Sequence, residues 1–427
     1  MSLIRCNRGR SYLANGPTRI HLHEGCLLVL GKKINVGEDV IIPKGRSVPI
    51  EAESDSTFEF WIGSGASLEE FNGAIPADWK RAAETILNKK PPVKAIALGD
   101  VDSGKTTFTS YLSNIAYDRG FKVAVIDADP GQGEISPPTT VGLGFLRSGI
   151  VSLHNIPLKS AFFIGSTSPS ELPLRVIVGA RFLMDGAIAE GADLVFVNTC
   201  GWISGRRARE FKFSLIQSLE PDFVVAIQRN SELEDLIRVL EKISKYSILR
   251  VTTSPASRTR SREERKARRE DAFQRYFAKS KERTFDLQNT PIVNAHYTYG
   301  KPLPSGLLQE LQRELSMKLF YGELGDDFLF LVTDREADLD TWNKIKEITR
   351  INEVMIVPRG FERGIILGMT GPNGDFVGLG IISHIDYESR KMIVLTPVEC
   401  DVVAFVVGLV KLDDSWHELA KLTHIPF

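Results

Sequence analysis

The sequence is poor in cysteine, with four residues (Cys6, Cys26, Cys200 and Cys400) far apart and no CxxC pair. That argues against a disulfide framework or a zinc site as the basis of the fold and favours buried free thiols. Histidine is also scarce, at seven scattered residues. His21 and His23 alternate along an expected strand without a Cys or Asp partner at metal-ligand spacing, so they read as surface residues. No stretch reaches the roughly 18 uninterrupted apolar residues of a membrane span. The longest runs, such as 401–410 (DVVAFVVGLV), are strand-sized and broken by Gly or Asp. An excess of one charge is missing too. The chain has 53 Lys and Arg against 54 Asp and Glu, a net charge of −1, so any polyanion site must be local. Arg5, Asn7, Arg8 and Arg10 stand where a secretory leader would place its apolar segment. The expectation is a soluble, intracellular, cytoplasmic protein with no membrane partner.

What is present is the balance of a globular chain: 427 residues, 43% apolar, 25% charged and 9% aromatic, enough for two or three domains. Short apolar runs joined by Gly-, Lys- and Pro-containing turns predict an N-terminal β domain over 1–75. Between 76 and 90, Trp79, Ala82, Ala83, Ile86 and Leu87 recur near a 3.6-residue period, a connecting helix that Pro91-Pro92 ends. Buried strands then alternate with helices. The apolar runs 93–98, 122–126, 194–197, 223–227 and 248–251 predict strands, and 106–119, 175–190 and 232–246 predict helices. This is an α/β layered domain with a parallel sheet, placed at 76–315 together with the connector. The remainder, 316–427, returns to short strands with Gly-rich turns and predicts a C-terminal β-rich domain.

Gly99-Asp100-Val101-Asp102-Ser103-Gly104-Lys105-Thr106 matches GxxxxGK[ST], directly after a predicted buried strand and directly before a predicted helix. Glycines at 99 and 104 let backbone N–H groups wrap phosphates, and the helix N-terminus adds positive potential. Asp102, Ser103, Thr106 and Thr107 complete the expected phosphate cradle. Lys105 supplies a point charge for the β and γ phosphates, and the Thr106 hydroxyl is a Mg²⁺ ligand candidate. The next strand runs into Asp127-Ala128-Asp129-Pro130-Gly131-Gln132, at the carboxyl edge where open α/β sheets bind ligands. A carboxylate there suits either Mg²⁺ or the proton of an attacking hydroxyl, and Gln132 suits orienting either group. A third strand ends in Asn198-Thr199-Cys200-Gly201-Trp202, where Trp202 reads as a base-stacking platform or a core tryptophan. A further loop, 165–169 with Ser168, is placed on the same rim. Residues 258–283 hold 11 Lys or Arg against 5 Asp or Glu, with Phe273, Tyr276 and Phe277 as an apolar stripe. This reads as a solvated helix face, a surface for polynucleotide phosphates, or a lid presenting Arg265 and Arg269 one turn apart.

Together these motifs resemble the RNA-processing polynucleotide 5′-hydroxyl kinase family, in a prokaryotic-type member. That family includes the kinase subunit associated with pre-mRNA cleavage and tRNA splicing and relatives acting in ribosomal RNA processing. The resemblance rests on a GxxDxGKT/S P-loop with Asp102 at the inner acidic position and on a DxGQ segment at Asp129–Gln132. It rests also on a TxGW clasp at Thr199–Trp202 and an RxxxR lid at Arg265–Arg269 ahead of Tyr276-Phe277. It implies ATP and Mg²⁺ as cofactors and phosphorylation of a 5′-hydroxyl end of RNA, with DNA as a second acceptor and RNA-processing proteins as partners. Carried onto this sequence, Lys105 and Thr106 hold phosphates and metal, Asp129 activates the hydroxyl, and Gln132 organises the metal. Thr199, Gly201 and Trp202 clamp the terminal nucleotide, and Arg265 and Arg269 stabilise the transition state. The family also has members that bind ATP without measurable kinase activity, so a non-catalytic ATP-binding scaffold is the alternative. A P-loop GTPase reading fails on motif: Asn88-Lys89 precedes the P-loop and lacks the following Asp.

Overall fold

The computed structural model describes residues 2–422 apart from Asn72, Ala74, Ser244, Pro255, Ala256, Arg258 and Ala420. Arg258, the expected first residue of the arginine-rich segment, therefore lies outside the described residues, as do the termini of the expected outer domains. The chain divides into two compact units, Met1–Phe162 with Ser168–Arg265, and Phe163–Thr167 with Lys266–Phe427.

The first unit opens with two antiparallel sheets. One orders Ser2–Cys6, Ser56–Ile62, Thr18–Glu24 and Asp39–Ile42; the other orders Lys32–Ile34, Leu27–Val29, Ser47–Ala52, Ser11–Asn15 and Ser67–Glu70. Alternation along the strands turns Ile20, Leu22 and Phe58 of one sheet and Ala14, Val48 and Ile50 of the other into a shared core. The connecting helix Ala77–Leu87 buries Trp79, Ala82, Ala83, Ile86 and Leu87, the residues its period marks. Trp79 fixes that helix to the next layer, donating its indole N–H to the Thr252 carbonyl at 2.7 Å and packing edge-on against Phe108.

The central sheet has seven strands in the order Leu158–Phe163, Thr140–Phe145, Val123–Ala128, Leu194–Thr199, Val93–Gly99, Phe223–Gln228 and Ser247–Thr252. The five strands from Val123–Ala128 onward in that order pair in parallel, and Thr140–Phe145 runs antiparallel to Val123–Ala128. Strands 123–128, 194–199 and 223–228 are buried throughout, as continuous apolar runs covered on both faces require. Helices Lys105–Asp118, Pro173–Ala189, Arg206–Leu219 and Glu234–Ile243 make the connections. The strand order places Val93–Gly99 between Leu194–Thr199 and Phe223–Gln228, so the P-loop and the 198–202 segment leave neighbouring strand ends.

In the second unit a five-stranded antiparallel sheet orders Lys281–Asp286, Lys391–Thr396, Phe376–Asp386, Ile365–Thr370 and Ala404–Lys411. A four-stranded sheet orders Lys301–Pro302, Leu319–Leu324, Phe328–Thr333 and Glu353–Pro358, its last pair parallel. The helix Leu339–Thr349 that joins this parallel pair turns Trp342, Ile345 and Ile348 toward the core, of which only Ile345 is fully buried. Its start is legible after the fact: the Asp338 side chain accepts from the Thr341 N–H at 2.8 Å. Fully buried Glu323 is compensated by Arg390, the Tyr321 hydroxyl and the Thr298 N–H, all within 2.8 Å. Phe273 and Phe277 of helix Arg262–Phe277 are buried in a cluster with Ile366, Leu379 and Ile381, and the Leu379 N–H donates to the Tyr276 hydroxyl at 2.8 Å. That is the apolar stripe of the arginine-rich segment.

Candidate active site

The P-loop leaves the strand at Gly99 and enters helix Lys105–Asp118 at Gly104, whose φ of 97° is left-handed. A Cβ at position 99 would lie 2.7 Å from the Ile227 carbonyl oxygen, so only glycine lets the two backbones approach this closely. Lys105 is buried, and its ammonium donates to the carbonyls of Gly99 at 3.0 Å and Asp100 at 2.5 Å. Burial pushes its pKa down to about 8; Lys212 adds to the fall and Asp129 opposes it. Ser103 is buried with a hydroxyl that has no hydrogen-bond partner among the described residues. Thr106 is partly exposed in the first helical turn, its hydroxyl oxygen 3.5 Å from the Asn198 amide nitrogen. Thr107, next to it, is partly exposed as well.

The end of strand Val123–Ala128, separated from the P-loop strand by Leu194–Thr199, leads through two carboxylates with different surroundings. Asp127 is buried and accepts from the Glu134 N–H at 2.6 Å and the Asn198 amide at 3.0 Å. Desolvation raises its pKa to about 7 despite those donors, with Asp129 adding to the rise. Asp129 is half-buried. Its Oδ1 accepts the Gly131 and Gln132 N–H groups, both at 3.0 Å, which leaves Oδ2 without a hydrogen bond among the described residues. Gln132 donates its amide to the Gly131 carbonyl at 2.7 Å and to the Arg265 carbonyl at 3.3 Å. The loop after this strand thus touches the start of helix Arg262–Phe277.

The clasp segment is built tightly against the P-loop. A Cβ on Gly201 would sit 2.6 Å from the Val101 backbone nitrogen, which explains the glycine by space rather than by turn geometry. Trp202 is half-buried and stacked on Phe211, with centroids 5.5 Å apart and planes 25° from parallel. The Thr199 side chain is buried, its hydroxyl donating to the Ala97 carbonyl at 2.7 Å and accepting from Lys212 at 2.9 Å. Its contacts therefore anchor the strand end. The Ser168 hydroxyl lies 2.8 Å from that of Ser170.

The two lid arginines fall on either side of the division between the units. Arg265, in the first, donates to Asp102 Oδ2 at 3.2 Å and to the Arg260 carbonyl at 2.9 Å. Asp102 also accepts the Arg260 N–H at 2.8 Å and its guanidinium at 3.1 Å. Arg269, in the second, grips Glu418 with two parallel bonds of 2.5 and 2.9 Å. The sequence reading gave no role to Asn198, Arg260 or Lys212. Lys212 had a visible signal, a lysine in the middle of the apolar face formed by Ala208, Phe211, Leu215, Ile216 and Leu219.

A buried strand, a glycine-gated loop with an inward lysine and a helix N-terminus define a P-loop nucleotide-binding protein, with acid groups at the end of another strand of the same sheet. Comparison with known proteins narrows this. A family model described as "mRNA cleavage and polyadenylation factor CLP1 P-loop" matches residues 99–279. A protein of Pyrococcus abyssi named polyribonucleotide 5′-hydroxyl-kinase is 31% identical over 82% of this chain and 97% of its own. One of Methanocaldococcus jannaschii with the same name is 30% identical over 82% and 95%. The chain belongs to the polyribonucleotide 5′-hydroxyl-kinase family. The solved wild-type Clp1p–Pcf11p complex shares its fold, with a TM-score of 0.62 at 13% identity over 96% of this chain and 97% of that one.

Proposed function

We infer that the chain is an ATP-dependent polyribonucleotide 5′-hydroxyl kinase, moving the γ-phosphoryl of ATP to the 5′-hydroxyl end of RNA. The observation that carries this reading is Asp129: a half-buried carboxylate just past strand Val123–Ala128 and close enough to act on the charge of Lys105, with one oxygen fixed by two backbone N–H groups and the other uncommitted among the described residues. An uncommitted carboxylate oxygen beside a phosphate cradle is what an acceptor hydroxyl needs. In the proposed step the 5′-oxygen attacks the γ-phosphorus, its proton passes to Asp129 Oδ2, and the bond to the β-bridging oxygen breaks to release ADP. Lys105 compensates the phosphate charge, and Trp202 stacks on the terminal base. Arg265 stabilises the transferring phosphoryl, with Arg269 assigned the same role on the family pattern.

The oxygen donors offered by Thr106, Asp129 and Gln132 are hard ligands that fit Mg²⁺, which takes few protein groups when phosphates supply the rest. These three residues would hold it, directly or through water. When bound, the ion neutralises charge on the β and γ phosphates. Ser168, Thr199 and Gly201 shape the acceptor end, Thr199 by anchoring the strand from which the clasp springs. DNA 5′-hydroxyl ends are a second proposed acceptor. A protein partner in RNA processing and a cytoplasmic site of action belong to the same reading.

The test is transfer of γ-phosphate from ATP with Mg²⁺ to an RNA oligomer bearing a 5′-hydroxyl. A 5′-phosphorylated oligomer and the Asp129→Asn variant serve as controls. Transfer to the 5′-hydroxyl alone, lost in the variant, is expected. Tight ATP binding with no transfer to RNA or DNA would overturn the kinase and leave a non-catalytic scaffold.

A further inference from the structure

Lys212 lies in helix Arg206–Leu219 with its side chain fully buried. Its ammonium donates to the Cys200 carbonyl at 2.7 Å and the Thr199 hydroxyl at 2.9 Å, and lies 3.4 Å from the Cys200 sulfur. Every one of these partners belongs to the segment that ends two residues later in Trp202. Taking an ammonium out of water costs several kcal/mol unless its donors are met. An apolar side chain at this place would pack without that cost. What the lysine adds is direction: it ties the helix to the hydroxyl of the last strand residue, Thr199, and to the carbonyl of Cys200 just beyond the strand.

The preceding residue of the same helix acts on the same segment. Phe211 is buried and forms the floor on which the Trp202 ring lies, 5.5 Å between centroids. Lys212 thus holds the backbone before Gly201 while Phe211 holds the ring after it. Gly201, pressed against Val101 with no room for a Cβ, is the joint between them. An aromatic platform gives affinity for a base only where its face is fixed before the base arrives.

We propose that Lys212, together with Phe211, is a positioning device that presets the Trp202 platform for the terminal nucleotide of the acceptor. Lys212 touches no reacting atom. The assignment rests on the kinase reading given above and names what orders the acceptor side of that site.

The test separates acceptor from nucleotide. In Lys212→Met, which keeps the length and loses the donors, KM for a 5′-hydroxyl RNA oligomer is expected to rise about tenfold or more, the size of one or two lost charge-assisted bonds. The dissociation constant for ATP, which Lys212 reaches only through its charge near Lys105, is expected to change less than the acceptor KM. Lys212→Arg, which keeps donors and charge, is expected to recover part of the acceptor KM. A merely structural role would lower the yield of folded protein or weaken both ligands together, without the split. Should Lys212→Met fail to bind ATP at all, Phe211→Leu removes only the ring under Trp202 and is expected to show the same split. An acceptor KM unchanged in every variant that still binds ATP overturns the positioning role. Absence of transfer by the unsubstituted protein overturns the kinase reading, a distinct outcome because it appears before any substitution is made.

Discussion

Asp102, a P-loop residue with a left-handed φ of 55°, is the anchor of Arg265: the guanidinium Nη1 lies 3.2 Å from its Oδ2. The Arg260 N–H and guanidinium meet the same carboxylate. The acid in the middle of the phosphate cradle therefore faces the lid, and it holds Arg265 at the cradle. Asp102→Asn keeps the shape and removes the charge. The rate of transfer is expected to fall about tenfold, and Arg265→Ala is expected to cost less in the Asp102→Asn background than alone. The coupling would be about 1 kcal/mol, as for a partly buried ion pair. Additive effects in that double-mutant cycle would show that the pair does no more than decorate the loop.

Lys105 supplies a pH dependence whose sign follows from its burial. Burial lowers its pKa to about 8, and the triphosphate favours the charged ammonium. ATP binding above that pH must therefore take up a proton. Affinity is expected to be full below pH 8 and to fall as pH rises through 8, by up to about tenfold per pH unit. Lys105→Arg, charged throughout, would bind with its own affinity but without this fall. Titrating ATP affinity from pH 7 to 9.5 by calorimetry checks it, and a flat profile in the unsubstituted protein would refute it.

Gly201 and Gly186 make a matched pair of glycine substitutions with opposite expected signs. Gly201→Ala drives a methyl to 2.6 Å from the Val101 nitrogen and 2.7 Å from its Cα, so the P-loop turn must move. A loss of about 1–3 kcal/mol in stability and a weakened hold on ATP are expected. Gly186, inside helix Pro173–Ala189, has open space where the methyl would go. Gly186→Ala is expected to be neutral or stabilising by up to about 1 kcal/mol through helix propensity. Thermal unfolding with and without ATP reads both.

Five of the seven strands of the central sheet were readable because fully buried strands such as Phe223–Gln228 announce themselves as continuous apolar runs; Leu158–Phe163 and the antiparallel Thr140–Phe145, broken by Gly142 and Gly144, were not. The P-loop was readable because its chemistry needs contiguous residues. What was hidden depends on residues distant in sequence. That Asp102 answers to Arg260 and Arg265, about 160 positions later, follows from no local pattern. Nor does the carboxylate pair Asp127 and Asp129 reveal from spacing which one is shut away and which is left with an open oxygen. The strand runs two residues past the predicted end at 126, and that extension buries Asp127 while releasing Asp129 into the turn. The helix Leu339–Thr349 escaped for a different reason: its apolar set is only Trp342, Ile345 and Ile348, a short pattern standing among strand-sized apolar runs.

Trp202 allows the acceptor side to be weighed without disturbing the phosphates. Its ring rests on Phe211, and it follows the glycine that closes on the P-loop, so truncation leaves the cradle's own hydrogen bonds untouched. Base stacking on an aromatic side chain is worth about 1–3 kcal/mol. Trp202→Ala is therefore expected to raise the acceptor KM roughly 5- to 150-fold while ATP affinity holds. Trp202→Phe, which can still stack on Phe211 and offer a smaller face, is expected to fall between the two. Because stacking does not read base edges, the loss in Trp202→Ala should be similar for oligomers beginning with any of the four nucleotides, with purines affected somewhat more. Steady-state kinetics on four oligomers that differ only in the first base decide it. A loss confined to one base would mean that edge contacts, and not the indole face, hold the terminal nucleotide.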